Sequence, residues 1–377
     1  MGEHACRACG TTDGQLVLDL GQQPACDYFP RQDDPGPDPV YPLQMWLCGA
    51  CGLAQLLSDP TVPEEPRGAE PAALVRQAAD AVGQVAAAGL LRDGARVAEY
   101  GSPHGGSWLG LLEEHGLTPV PDESSADVVL DCFGLMHAAD QAAALAERAT
   151  RVAAGGVLLL QYHALDAIVR HGQWNALRHG HFAYYSAASL TAMLAAVGFR
   201  ARRAWEFELY GGTVLLAASR GGDGPVLTGD GSVPALLTRD SRTGVYDPSA
   251  LAGLQEDARA KAAGLRDWLA AERAAGRAVL GYGAASRAVA LLRWAGADQT
   301  MIRAVADASP AKWGRRMPGT DIGVARPEVL AAHPGASVVL FVPDLLPEVR
   351  AAYPEVEAAG GRWVDAEALA PASPVLG

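Results

Sequence analysis

Four cysteines come as two pairs, Cys6-x-x-Cys9 and Cys48-x-x-Cys51, each followed by a glycine, Gly10 and Gly52. A CxxC turn can aim two thiolates at one ion, and two such turns complete a tetrahedral four-sulfur zinc site. The glycines suit knuckle turns that need positive φ. Four sulfurs leave no coordination position open, so the zinc expected is structural. Redox chemistry would call instead for a lone CxxC opening a helix. Cys26 and Cys132 read as small buried apolar residues.

A second group of chemically able residues lies further on. His137, His163, His171, His179 and His181 fall within one stretch, and imidazole is the default general base near neutrality. His163 and His171 read as surface or hydrogen-bonded core histidines. His179 and His181 belong to a compact run, Arg178-His-Gly-His181-Phe-Ala-Tyr184-Tyr185-Ser186. The Arg178 guanidinium suits enolate stabilisation or carboxylate binding, with a solvated surface arginine as the plainer reading. For Tyr184 and Tyr185, core packing competes with a role as phenols in a site.

Two glycine turns complete the candidates. Val97-Ala-Glu99-Tyr-Gly101-Ser102-Pro-His-Gly105 ends a strand pattern, and it resembles the first loop of S-adenosylmethionine methyltransferases. There glycine lets the backbone approach the cofactor, and the acid engages the methionyl end. A tight turn without ligand is the alternative. Gly281-Tyr-Gly283-Ala-Ala-Ser286-Arg287 follows another strand and opens a helix. Its amides could hold a phosphate with Arg287 adding charge, or the turn could serve packing alone. It lacks the third glycine of a dinucleotide fingerprint.

The elements that must position these residues alternate. A helix is predicted over 71–91 and strands over 96–100, 127–133, 156–162 and 213–218, with helices over 141–153 and 186–197 between them. After a polar, Gly-rich stretch at 220–231 comes a long helix over 251–275. A second series follows, with strands over 278–282, 302–306 and 337–342 and helices over 286–295 and 327–332. The Pro- and Asp/Glu-rich runs 30–42 and 59–71 read as loops. The fold class is therefore α/β, with two Rossmann-like units behind a cysteine module. The expected domains are 1–70, 71–220 and 221–377.

Composition sets limits. Of 377 residues, 49% are hydrophobic, enough for sizeable cores. A formal charge of −13 disfavours a nucleic acid as main partner. No apolar run reaches the roughly 18–20 residues needed to span a bilayer, and the start lacks a secretory layout, so a cytosolic place is expected.

Taken in order, these pieces resemble the zinc-containing sugar C-methyltransferases of deoxysugar biosynthesis. The motifs that carry the likeness are the two CxxC pairs with Cys48-Gly-Ala-Cys51-Gly-Leu, the His179–Ser186 run, and Tyr282-Gly-Ala-Ala. To these is added Val305-Ala-Asp307-Ala-Ser-Pro310-Ala-Lys312-Trp-Gly314-Arg-Arg-Met-Pro318-Gly319-Thr. The resemblance implies a central methyltransferase fold, a C-terminal Rossmann-like domain and S-adenosylmethionine as methyl donor. It also implies a nucleotide-linked 4-keto-6-deoxysugar, methylated at a carbon beside its ketone.

It further implies His181 as base, with His137 at the enolate, and Glu99, Gly101, Ser102, Gly105 and Asp122 toward the cofactor; Arg178, in place of the family's Tyr, is the added candidate at the enolate. Tyr184, Tyr210, Ser286, Arg287 and Lys312 fall toward the substrate. The family's Tyr-His-Glu-His reads Arg178-His179-Gly180-His181 here, so His179 is a candidate substitute for the missing Glu. Tyr210 stands where the family usually has His. Only 26 residues separate Tyr100 from Asp127, where a methyltransferase fits two helices and two strands. Two readings stand beside methyl transfer: cofactor-independent deprotonation next to a ketone (epimerase, isomerase or lyase), and a non-catalytic partner protein.

Overall fold

The computed structural model describes residues 4–34, 36–61, 71–101, 106–121, 124–221 and 230–370. Its strands form three sheets. The first is antiparallel, in the order β1 (Gly14–Pro24), β2 (Val40–Cys48), β3 (Ala54–Leu56) and β8 (Ala183–Tyr184). The run 30–42, expected as loop, gives way to strand at Val40, and the long β1–β2 hairpin answers no sequence expectation.

The second sheet is the anticipated α/β unit. Helix α1 (Ala72–Ala87) leads into β4 (Arg96–Tyr100); α2 (Leu109–Glu114) and β5 (Thr118–Pro119) follow, then β6 (Ala126–Cys132), α3 (Gln141–Arg151) and β7 (Val152–His163). After α4 (Leu165–Arg170) and α5 (Ala187–Ala196) the chain adds β9 (Phe199–Phe207) and β10 (Thr213–Arg220). The order is β5-β4-β6-β7-β10-β9; β4 to β7 run parallel, while β10 inserts antiparallel between β7 and β9. The shortened segment thus keeps one helix and a two-residue stub of the second strand. Among the described residues it has no second helix and no third strand.

Local chemistry fixes the helix starts. The Asp140 carboxylate accepts from Ala143 N at 2.9 Å, and Ser186 makes a capping box with Ser189. Helix α6 (Ser232–Thr243) lies between two left-handed glycines, Gly231 and Gly244, and packs on α5 and β9. Helix α7 (Pro248–Ala274) begins with Pro after the capping Asp247.

The third sheet is wholly parallel: β13 (Val324–Ala325), β12 (Val305–Ala306), β11 (Val279–Tyr282), β14 (Ser337–Leu340) and β15 (Arg362–Asp365), with α8 (Ala288–Ala295) after β11. The helix expected over 327–332 is only a 3-10 turn, Pro327–Val329. Pro334 disfavours helical geometry at His333, which leaves too little chain for an α-helix to propagate.

One core is shared across the sequence. Leu18, Leu20 and Met45 of the hairpin pack with Leu254, Leu265 and Leu269 of α7 and with Leu291 and Val305 of the last unit. Leu43 and Trp174 lie in the same cluster. Among the described residues no helix is long and apolar enough to cross a membrane.

Asp240 on α6 gives the fold a pH dependence. It is 1% exposed, accepts from Ala188 N at 3.1 Å and faces the Asp166 carboxylate. Burial first, then Asp166, raises its pKa to about 6. The folded state therefore holds a proton that the unfolded chain (carboxyl near 3.9) releases, so this group's contribution falls as pH rises from about 4 to about 6. Asp240→Asn is expected to flatten the unfolding midpoint over that window. Thermal melts of wild type and variant from about pH 4 to 7 check it.

Candidate active site

The metal cluster forms where the spacing placed it. Cys6 and Cys51 Sγ lie 3.5 Å apart, Cys9 and Cys48 Sγ 3.6 Å, and all four sulfurs fall within 4.8 Å of one another. Zinc–sulfur bonds of about 2.3 Å require tetrahedral sulfurs about 3.8 Å apart, so the donor set fits the ion. Backbone N–H groups of Ala8 and Cys51 point at Cys6 and Cys48 sulfurs, at 3.5 and 3.4 Å, and favour thiolates. The Cys51 hydrogen bond holds the Cys6 thiol down at about 5, while the same contact and burial push Cys51 up. Such sharing suits one added cation. Cys48→Ala is expected to abolish stoichiometric zinc and lower stability by several kcal/mol, read by metal analysis and denaturant melts.

The cysteine site does not face the histidines. His137, His163, His171 and His181 open instead onto a cavity of about 580 Å³ between the second and third sheets, within the usual size of ligand pockets, about 300–1,000 Å³. The central unit supplies the carboxyl ends of β6 and β7, with Cys132, Phe133, His137, Gln161 and His163, and the start of α1. The last unit supplies Ser286, Arg287 and Lys312, Asp344 after β14, Asp365 at the end of β15 and Glu367 after it. This is the crevice outside the carboxyl ends of parallel strands, where ligands of open α/β sheets settle.

A connected group spans the two walls. Arg178 donates from Nη1 to Ser286 Oγ at 2.6 Å, while its Nη2 lies 3.5 Å from His181 Nδ1. The Arg178 backbone N–H donates to the Tyr184 hydroxyl at 3.0 Å, and burial raises that phenol's pKa. The His181 and His137 rings meet edge to face, 4.6 Å between centroids, and His137 Nδ1 lies 2.9 Å from Gly180 O. Gly180 needs its φ of +80°, and its N–H donates to Asp59 Oδ2 at 2.5 Å. The Arg-His-Gly-His turn is thereby pinned from the cysteine module. Asp59 carried no signal in the sequence beyond its Pro-rich setting.

The other expectations divide. His179 is turned away: it is 2% exposed, packs edge-on against Tyr41 and lies 3.3 Å from Pro42 O, because a neighbour on a tight turn points to the opposite side. It cannot stand in for a missing Glu in the cavity. Arg287 stacks over Tyr210, 5.4 Å to the ring centroid, and meets Asp344 at 3.6 Å. Lys312, 6% exposed, donates to Ala284 O at 2.8 Å. Tyr210 lines the cavity in a left-handed conformation, φ 55°.

At the end of β4, a Cβ on Gly101 would meet nothing within 4 Å among the described residues. Glu99 accepts from Ser107 Oγ and Trp108 N, both at 2.6 Å, so its carboxylate is engaged by its own chain. Ser102, Gly105 and Asp122 lie outside the described residues. Sequence reasoning missed Gln173, His163, Asp344, Asp365 and Glu367 as cavity residues. For the last three the available signal was position at or just after the end of a parallel strand.

Three family models match the chain in order. "Putative zinc binding domain" matches residues 6–65, "Methyltransferase domain" 72–204 and "C-methyltransferase C-terminal domain" 208–366. The C-methyltransferase NovU of Streptomyces niveus is 23% identical over 400 aligned positions, covering 95% of this chain and 94% of that protein. Two solved structures align with smaller parts. Magnesium protoporphyrin IX methyltransferase of Synechocystis PCC 6803 covers 41% of this chain and 90% of its own, with 15% identity and a TM-score of 0.30. The mitomycin 7-O-methyltransferase MmcR covers 38% and 54%, with 19% identity and a TM-score of 0.31.

Proposed function

We propose that this chain, which matches a zinc-binding, a methyltransferase and a C-methyltransferase C-terminal family model in that order, is a zinc-containing C-methyltransferase that methylates a carbon beside the ketone of a nucleotide-linked deoxysugar. The methyl donor in this reading is S-adenosylmethionine, which when bound supplies a methyl group on a cationic sulfur. Gly101 and the cavity wall at Gly106, Trp108 and Phe133 are the residues to hold it. Zinc is structural, held by Cys6, Cys9, Cys48 and Cys51. The setting proposed is cytosolic secondary metabolism.

The observation that carries this reading is the Ser286–Arg178–His181–His137 group, which joins the walls of one cavity. His181 takes the proton from the carbon next to the ketone. The Arg178 guanidinium, fixed by Ser286, offsets the negative charge that develops on the oxygen, and His137 packs the base in place. Arg287 and Lys312 face the nucleotide's diphosphate, with Tyr184 and Tyr210 against the sugar. Excluding water from the enolate falls to Phe133, Met136 and Tyr210.

Incubation with S-adenosylmethionine and a thymidine diphosphate-linked 4-keto-6-deoxyhexose tests it, with mass spectrometry for a product heavier by one methyl group. A second reading, deprotonation without methyl transfer, draws on the self-engaged Glu99 and on a sheet that, among the described residues, has no strand beyond β5. Solvent deuterium entering the sugar with no methylated product, and no calorimetric binding of S-adenosylmethionine, would favour that reading instead.

A further inference from the structure

His163, at the end of β7, has its proton placed by its neighbours. The arrangement starts at Gly211, φ +75°, where a Cβ would lie 2.4 Å from Gln173 Nε2. Glycine there lets the Gln173 amide pack on the backbone and donate from Nε2 to Tyr210 O at 2.9 Å. The opposite amide orientation would set two oxygens against each other. With its nitrogen so committed, Gln173 presents Oε1 to His163 Nε2, also at 2.9 Å. An amide oxygen only accepts, so the imidazole proton sits on Nε2 and the lone pair on Nδ1.

Nδ1 has no hydrogen-bond partner among the described residues, and His163 lines the cavity. Burial, then the charge of Arg287, pulls the ring's pKa down to about 3, so it stays neutral at working pH. Arg287, Arg178 and His171 all oppose its protonation, while the acids of the cavity, Asp344, Asp365 and Glu367, come from the last unit, with Asp344 against Arg287. A ring in this state is too weak a base to abstract a proton from carbon, but it accepts a hydrogen bond. A cationic donor group would be repelled by the two guanidinium groups, and a carboxylate or diphosphate oxygen carries no proton at working pH. A neutral hydroxyl fits both limits.

We propose that His163 is a specificity-determining residue whose Nδ1 accepts a hydrogen bond from a ring hydroxyl of the substrate sugar. This rests on the sugar reading above and adds what the cavity selects within that class. Leaving a buried acceptor unmatched penalises the analogue that lacks the hydroxyl.

The test has two parts. In ligand-free protein, two-bond 15N–1H correlation of labelled histidine is expected to show His163 as the Nε2–H tautomer from about pH 6 to 8. A proton on Nδ1 overturns the proposal. Next, KM is measured for a thymidine diphosphate-linked 4-keto-6-deoxyhexose and for its 2-deoxy and 3-deoxy counterparts. Wild type is expected to favour the full hydroxyl set over one counterpart by about tenfold or more. His163→Phe, and His163→Gln, which retains the contact with Gln173, are expected to erase that ratio. His163→Asn, with a polar atom near the Nδ1 position, is expected to keep part of it. If wild type binds none of the three sugars, the sugar reading fails and takes this one with it. If it binds them and the variants keep the wild-type ratio, only the role of His163 fails.

Discussion

His181→Ala is expected to lower turnover by about two to four orders of magnitude, the range that a positioned general base contributes. The same loss is expected in solvent-deuterium exchange into the keto sugar, because that exchange reports proton removal alone. His181 is 4% exposed, yet it borders the cavity, so its removal enlarges an existing space and the unfolding midpoint is expected to move little. His137 lies close, 4.6 Å between ring centroids, and its Nδ1 donates to Gly180 O, so any residual exchange in this variant is expected to disappear in His181→Ala with His137→Ala. Exchange at the wild-type rate in a folded His181→Ala protein sinks the assignment of the base. Arg178→Met separates the roles further: it leaves the imidazole and removes the charge beside the developing oxyanion, so exchange and methylation fall together.

The second large effect concerns stability. Asp38 and Arg316, 278 positions apart, form a bidentate pair at 2.6 and 2.7 Å with side chains 6% and 7% exposed. Gly319 N donates to the same carboxylate at 2.6 Å, and Arg316 also donates to Asp34 O and Thr320 O. Asp38→Ala leaves a buried guanidinium without its counter-charge, at an expected cost of about 3–5 kcal/mol in denaturant melts. Asp38→Leu combined with Arg316→Met is expected to cost less than Asp38→Ala alone, since no charge is then stranded. Equal or greater loss in the double variant would count against the stranded-charge account.

Burial raises the Asp38 pKa, but Arg316 and Gly319 more than offset it, and the net shift is downward. A depressed carboxylate stabilises fully above its unfolded value, about 3.9, and that contribution is lost as pH falls through the lower folded value. Asp38→Asn is therefore expected to lose the part of acid unfolding that lies below about pH 4.

What the sequence made legible follows from how local each signal is. Strand β4 matched its expectation residue for residue, and β6 and β7 were close, because buried parallel strands read as short apolar runs between turn residues. The run Phe199–Phe207 was missed, since Arg200, Arg202 and Arg203 hide a strand at the sheet's edge, where one face meets water. The β1–β2 hairpin was missed because Gly, Gln and Asp interrupt its alternation, and two register shifts break it further. Helix α6 was obscured by Pro234 and its Ser and Thr residues.

The site divides in the same way. Arg178 and His181 share one motif and could be read together, and the four cysteines come with their spacing. The pairing of Gln173 with Tyr210 O, and of Asp38 with Arg316, joins distant segments that no periodicity links. His179 illustrates the opposite error, since proximity along the chain is not proximity in the cavity.

The small strand β8 carries a consequence for how the protein is made. Ala54 and Gln55 of β3 pair with Tyr184 and Ala183, and the hairpin's apolar face is covered by α7, residues 248–274. As the chain leaves the ribosome, its amino-terminal module has neither its fourth strand nor its cover until two thirds of the polypeptide has been synthesised. Units usually fold in the order in which they emerge. Here the first to emerge is among the last to be completed, so the cysteines wait for residues more than a hundred codons downstream.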